Sequence, residues 1–291
     1  MTDKEISEFI TFPRSFEKYR WYKPILVFII GAVLYFIFSI ILSEIFSGIF
    51  GEPITSSILN GGYEVMNTEI GEIFTDLSVI IMIPSLYLAT KIVRDRPFSS
   101  YVSSRGGWNH KLFFKAFIIP FIVFLVYGII ETTIIGPDGN YHFSILFFII
   151  ILILVPLQCI AEEYVYRGLI MQTFGSWFKI PILAIILQGI IFGISHGYNN
   201  LGNIEVLIFG LVAGFLTWKS NGIEVSSAFH AANNLSVSLL IMFGLQSSTS
   251  NVQIHDAIIA IIINIVLGIV MYYIGKKSNW FGEIPENSQN I

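Results

Sequence analysis

Residues 143–167 read FSILFFIIILILVPLQCIAEEYVYR, an apolar run of membrane length that ends in two acids and an arginine. A helix needs about 20 apolar residues to cross the hydrocarbon core of a bilayer. Ionisable side chains in or beside such a run lose their hydration, so each needs a partner or a task. The stretch therefore predicts a membrane helix that carries functional groups.

The composition of the whole chain extends this prediction. Apolar residues make up 54% of the 291 residues, charged residues make up 12%, and the mean hydropathy is +0.74. An average soluble domain has about 25% charged residues. Apolar runs recur at 25–47, 73–93, 113–135, 143–161, 181–197, 203–218, 223–245 and 256–275. We predict an all-α fold, a polytopic membrane bundle of about eight transmembrane helices, with 181–197 and 203–218 as short spans.

The division of the chain follows from these runs. We expect a single transmembrane domain over 24–277, with its motif core at 157–240. A cytoplasmic segment, 1–23, precedes this domain and a frayed cytoplasmic tail, 278–291, follows it. The lone Cys159 rules out an internal disulfide. No sequence feature predicts nucleic-acid binding.

The distribution of basic residues predicts the orientation, because short cytoplasmic loops retain Lys and Arg. Basic residues lie before the first predicted span, between the second and third, and after the fourth, sixth and eighth, whereas the alternate loops at 50–72, 136–142, 198–203 and 246–255 have none. We therefore expect a multi-pass protein of the plasma membrane with both termini in the cytoplasm. Arg167 alone belongs to no loop, which marks it as a partner within the site.

The first candidate motif is Glu162-Glu163 with Arg167. Glu163 and Arg167 are four residues apart, so on a helix they share a face and pair. Glu162 points about 100° away. This division leaves Glu162 as the freer carboxylate, suited to act as a general base. An ordinary surface salt bridge is the alternative reading of this motif.

Two further pairs have the same spacing, Phe192 with His196 and His230 with Asn234. If the chain forms a hairpin near Lys179, Glu163 and His196 both lie about 24–26 Å from its tip and face each other. His230 lies about 16 Å into its own helix. For His230 to lie level with Glu163 and His196, the hairpin tip must project about 10 Å beyond the membrane. The alternatives are a packing histidine at 196 and interhelical hydrogen bonds at 230 and 234.

The ordered motifs resemble those of the CPBP intramembrane proteases, which include the type II CAAX prenyl endopeptidases and the bacterial Abi proteins linked to bacteriocin self-immunity. The matching stretches are EEYVYR at 162–167, FGISH at 192–196 and HAANN at 230–234. The stretch RDRPFSSYVSSRGGW at 94–108 is also similar to a cytoplasmic loop of bacterial members.

The resemblance implies a role for each residue. Glu162 would activate a water and His196 would help to bind it, while His230 and Asn234 would form an oxyanion hole. Glu163 with Arg167 would hold the base. The family has also been interpreted as metalloproteases, and Glu162, His196 and His230 are the candidate ligands of a metal such as zinc. We favour a mechanism without a cofactor.

The sequence thus predicts an endopeptidase that cleaves a hydrophobic or membrane-associated peptide at a site entered from the cytoplasm. Two alternatives stay open, a non-catalytic immunity or interaction protein and a proton-coupled carrier. The substrate, its prenylation and the oligomeric state are not determined by the sequence. The composition, rich in Ile, Phe and Asn, suits a bacterium of low genomic GC content.

Overall fold

The computed structural model describes residues 8–51 and 67–281. Within these ranges the chain is helical, with short 3-10 turns at Phe12–Ser15 and Phe98–Tyr101. We label the helices α1 Lys23–Phe50, α2 Glu69–Ile80, α3 Met82–Val93, α4 His110–Ile135, α5 Ile145–Glu163, α6 Gln172–Phe178, α7 Pro181–Ile194, α8 Asn200–Ser220, α9 Glu224–Met242 and α10 Ile254–Lys277. A π-helical segment, Tyr164–Met171, joins α5 to α6. The predicted loop 50–72 and tail 278–291 lie largely outside the described residues.

The helical bundle confirms the predicted fold class. Each of the eight predicted spans corresponds to a helical run. In the described ranges, six runs are long and apolar enough to cross a membrane: Lys23–Phe50, Glu69–Val93, His110–Ile135, Ile145–Phe178, Asn200–Ser220 and Ile254–Lys277. Pro181–Ile194 is a shorter apolar helix. The fourth run is much longer than the predicted 143–161, because its polar second half is buried against protein and need not be apolar.

The remaining run, α9, is the central helix of the bundle. It packs against α4, α5 and α8, and nearly all its residues are buried. A helix surrounded by other helices does not face lipid, so it can carry Ser, His and Asn side chains whose polar groups bond within the protein. This position explains why α9 is less apolar than its neighbours and why it can supply polar groups to an interior site.

Several helices begin at a residue whose side chain caps the first turn. Asn109, Ser144 and Asn199 each accept a hydrogen bond from the backbone N–H three residues later. Such caps satisfy N–H groups that have no partner within the helix. They place the starts of α4, α5 and α8 close to the predicted span limits.

Small residues allow α7 and α8 to approach closely. A Cβ added at Gly210 would lie 3.1 Å from Phe192 Cδ1, and one at Gly193 would lie 2.9 Å from the Asn203 carbonyl oxygen. The Gly-x-x-x-Gly pair at 210 and 214 therefore faces the interior of the bundle. Through this contact, α7 packs on the side of α8 that faces the motif residues.

The loops divide between the two ends of the bundle. At the end rich in basic residues, Arg14 Nη1 donates to Ser176 O (2.9 Å), Lys23 Nζ to Arg94 O (3.3 Å) and Arg105 Nη1 to Trp280 O (3.2 Å). At the other end, Asn67 Nδ2 donates to Ser248 O (3.2 Å) and Ser247 Oγ to Asp138 Oδ2 (2.9 Å). The charge asymmetry read from the sequence is thus an asymmetry of the folded bundle.

The loop 94–108 packs onto the helices around the π-helical segment. The Arg96 guanidinium stacks 3.6 Å from the centre of the Tyr101 ring, hydrogen-bonds Gln172 and donates to the Gly168 carbonyl oxygen. Arg105 Nη2 forms an ion pair with Glu224 Oε2 at 2.8 Å. The loop is therefore tied both to the π-helical segment and to the start of α9.

The N-terminal segment also packs against protein. The side chains of Phe9, Ile10 and Phe12 are fully buried, and Ile10 lies against Gly175 in α6. The segment therefore covers the tip of the α6–α7 hairpin.

We expect Gly175→Ala to loosen this cover. A Cβ at this position would lie 2.5 Å from the Ile10 carbonyl oxygen, so one of the two backbones must shift. Overpacking of this kind costs about 1–3 kcal/mol, and the midpoint of thermal unfolding in detergent should fall. Gly48→Ala is the matched control, because nothing lies within 4 Å of its Cβ. Equal unfolding midpoints for the two variants would contradict the packing described here.

Candidate active site

The base of the candidate site is a fully buried ion pair between Glu163 and Arg167. Arg167 Nη1 lies 2.8 Å from Glu163 Oε1, and both side chains have no exposed surface. The guanidinium stacks 4.3 Å from the centre of the Phe192 ring and donates to the Gly210 carbonyl oxygen at 3.4 Å. A buried pair of this kind holds both side chains in one geometry. Glu163 therefore presents a fixed carboxylate to the interior.

His230 is oriented by that carboxylate. Its Nδ1 lies 3.1 Å from Glu163 Oε1. Because an ionised carboxylate only accepts hydrogen bonds, Nδ1 carries the proton of this contact. The other ring nitrogen, Nε2, points toward Glu162 and lies 3.4 Å from Asn234 Nδ2. The arrangement resembles a histidine held by an acid, in which the carboxylate also stabilises the protonated ring.

His196 lies just beyond the end of α7, rather than on the helix as predicted. The helix ends at Ile194, and Gly197 has a positive φ of 69°, which turns the chain. His196 Nδ1 nevertheless lies 2.7 Å from the Phe192 carbonyl oxygen, one turn back. A carbonyl accepts, so Nδ1 carries a proton and Nε2 faces the site. The half-buried ring packs on Phe192 with ring centres 4.5 Å apart.

Glu162 has one oxygen held by protein and one that faces both histidines. Gln158 Nε2 donates to Oε1. Oε2 lies 3.8 Å from His196 Nε2 and 3.9 Å from His230 Nε2. It has no hydrogen-bond partner in the described part of the chain. These distances are too long for direct hydrogen bonds but suit a small molecule bridging the three groups.

Asn234 completes the group. Its Nδ2 donates to Gln158 Oε1 at 3.3 Å, and its Oδ1 accepts from Asn233 Nδ2 at 3.1 Å. The fold thus brings together all six residues singled out in the sequence, from the end of α5, the π-helical segment after it, the turn after α7, and α9.

A π-helical segment begins directly after Glu163 and contains Arg167. π-helical turns are rare and occur often at functional sites. The wider turn changes which side chains share a face beyond Glu163 relative to an α-helix. The proline of this run, Pro156, lies earlier, within α5.

Gln158 is a member of the site that the sequence motifs did not indicate. Gln158 lies one helical turn before Glu162, is 8% exposed and contacts both Glu162 and Asn234. A usable signal was present, because Gln158 is a polar residue inside an apolar run at the same four-residue spacing as the other pairs.

A second missed feature is a pair of acids on α2. The sequence placed Glu72 in a loop, but Glu72 and Asp76 are 1% and 4% exposed within the helix. The helix packs against α5, and Asp76 lies within electrostatic range of Glu162. Asp76 falls inside a predicted span, and this was the signal available, since acids in such spans are rare.

Glu162, His196 and His230 are the candidate ligands of a metal. Two imidazoles and a carboxylate are suitable zinc donors. The described residues, however, contain no group of three or more His, Cys, Asp or Glu side chains spaced to hold a metal. We therefore derive no step through a metal.

Comparison with known proteins gives two results. A family model described as type II CAAX prenyl endopeptidase Rce1-like matches residues 143–236, the range that contains all six candidate residues. A Bacillus subtilis (strain 168) protein described as "Uncharacterized protein YyaK" is 31% identical over 222 residues, which is 68% of this chain and 74% of that protein. No solved structure matches the chain at a significant level.

Proposed function

Because the chain belongs to the Rce1-like, type II CAAX prenyl endopeptidase family, we propose that it is an intramembrane endopeptidase acting on a hydrophobic or membrane-associated peptide. The family is a family of proteases, and the chain is a multi-pass membrane protein. The observation that carries the proposal is the position of Glu162 Oε2 between two histidine Nε2 atoms, at 3.8 and 3.9 Å.

In the proposed reaction, Glu162 acts as general base. A water between Glu162 Oε2 and His196 Nε2 gives a proton to the carboxylate, and its oxygen attacks the peptide carbonyl carbon. The hydrogen bond from Gln158 to the other Glu162 oxygen supports this role, since it aims Oε2 toward the histidines. The contact of His196 Nδ1 with Phe192 supports the assignment of Nε2 as the atom that holds the water.

The negative charge that develops on the carbonyl oxygen needs donors. Asn234 Nδ2 is one donor, and His230 is the second when Nε2 is protonated. With the Nδ1 proton directed at Glu163, that form of His230 is an imidazolium, whose charge the Glu163 carboxylate offsets. The intermediate collapses as the C–N bond breaks, and the proton on Glu162 passes to the leaving amine.

We further propose that the basic end of the bundle is cytoplasmic, so that the peptide enters from that side. The positive-inside rule supports this orientation. We also propose a mechanism that requires no metal, because Glu162 and the two histidines can hold and move each proton.

A comparison of terminal peptides in cell membranes tests the proposed function. Cleavage by the wild type should create N-terminal or C-terminal peptides in the membranes of its cells. These peptides should be absent from cells with His196→Ala, because the water loses one of its two contacts in that variant. Incubation of isolated membranes with a zinc chelator should leave these peptides in place. Identical peptide sets from both strains would contradict a protease and favour an interaction protein, and loss with chelator would contradict the metal-independent mechanism.

A further inference from the structure

A cavity of about 430 Å³ lies between α4, α8, α9 and α10. Its rim is formed by the loops that follow α4 and α9, so it opens at the end of the bundle opposite to the basic residues. None of the six candidate catalytic residues is among the described side chains that line it. The cavity and the candidate active site lie on different sides of α9 and meet at Asn233, which lines the cavity and donates to Asn234 Oδ1.

The polar groups of this cavity are predominantly acidic. Glu131, Asp138, Glu205 and Asp256 line it, and no Lys or Arg is among the described lining residues. Glu131 accepts hydrogen bonds from Tyr127 and Gln246, which are neutral donors. These contacts position the carboxylate but do not balance its charge.

Glu205 and Asp256 add to the negative charge of the cavity. Glu205, from α8, lines the cavity together with Asp256 and Glu131. His255 Nε2 lies 2.7 Å from Asp256 Oδ1, at the exposed edge of the cavity. Among the described residues that line the cavity, His255 is therefore the one ionisable base beside these carboxylates.

An independent observation points to a ligand. Asn264 lies in the middle of α10, is only 3% exposed and lines the cavity. Its Oδ1 is buried and has no hydrogen-bond partner among residues 8–51 and 67–281. An unsatisfied buried acceptor lowers the stability of the folded protein. A ligand with N–H groups would remove that cost.

The size and walls of the cavity define the kind of ligand. A volume of about 430 Å³ lies in the range of small-molecule sites and exceeds the space that a bare ion needs. Phe124, Val237, Leu240 and Ile263 supply apolar wall beside the acids. An inorganic ion would leave this wall without contact, whereas a charged group on an apolar stem would cover it.

We propose that this cavity binds an organic cation, an ammonium or guanidinium group on an apolar stem such as a lysine or arginine side chain. The carboxylates of Glu131, Glu205 and Asp256 surround the charge, and Asn264 Oδ1 accepts one of its N–H groups. The site does not depend on proteolysis, so binding can be measured without it.

Fluorescence titration of the purified full-length protein in detergent tests the proposal. The probe is dansylcadaverine, which carries a terminal ammonium on a five-carbon stem next to a fluorophore. We expect saturable binding that hexylammonium displaces and that hexanol does not. Glu205→Gln and Asn264→Leu should each weaken binding about tenfold, the loss expected for a hydrogen bond or ion pair to a charged group.

Glu17→Gln is the matched control, because Glu17 is an exposed acid at the basic end of the bundle. It should bind the probe like the wild type. Unfolding midpoints of all variants separate loss of binding from loss of fold, and Asp256→Asn provides a third variant if one of the others unfolds. Equal displacement by hexanol, displacement by sodium or calcium at the same concentration, or unchanged binding in the folded cavity variants would overturn the proposal.

Discussion

Glu162→Gln should lower the rate of peptide hydrolysis about a thousandfold, the middle of the range for loss of a general base. The amide has nearly the shape of the carboxylate, and its oxygen can still accept from Gln158. It cannot take a proton from water. The measurement is kcat on a substrate identified from the terminal peptides, with the purified protein in lipid vesicles.

The unfolding midpoint of Glu162→Gln should stay close to that of the wild type, since Glu162 makes no ion pair shorter than 3.8 Å. Loss of activity would then report chemistry and not folding. A variant with more than a tenth of wild-type kcat would remove Glu162 from the mechanism. Glu163→Gln is a useful contrast, because it should reduce stability as well as rate.

Arg167→Met should have the largest effect on stability. Breaking a buried ion pair by removing one partner costs about 3–5 kcal/mol, because the remaining charge is buried without compensation. Here the remaining charge is Glu163, which has no exposed surface. The contact of the guanidinium with Phe192 is lost as well. Chemical denaturation in detergent, followed by circular dichroism, measures the change in the free energy of unfolding.

The double variant Glu163→Gln with Arg167→Met is the matched control. It removes both charges, so a large part of the lost stability should return. Activity should not return, because His230 loses the carboxylate that orients it. If the free energy of unfolding of Arg167→Met alone lies within 1 kcal/mol of the wild-type value, the ion pair does not hold the site together.

Much of the fold was predictable because membrane solvation acts on every residue of a lipid-facing helix. Each long apolar run corresponds to a helical run, although 73–93 is divided into α2 and α3 and α6 lay in no predicted run. The basic residues predicted which loops share an end of the bundle. The pairing of Glu163 with Arg167 was also predictable, because four residues make about one helical turn.

Other features were not predictable, because they depend on contacts between distant parts of the chain. Gln158, Glu72 and Asp76 are polar residues whose importance depends on the helices beside them. His196 lies past the end of its helix, yet its contact with the Phe192 carbonyl oxygen keeps it in the site. The N-terminal segment packs on α6 because Gly175 leaves room for Ile10, a complementarity between distant parts of the chain.

The sequence by itself determined that this is a helical membrane protein and which polar side chains share a helix face. Only the tertiary structure decided that Glu162 faces both histidines, that α9 is central, and that an acidic cavity lies behind it. The physical reason is that helical periodicity is local, whereas the meeting of two faces depends on how side chains of separate helices pack together.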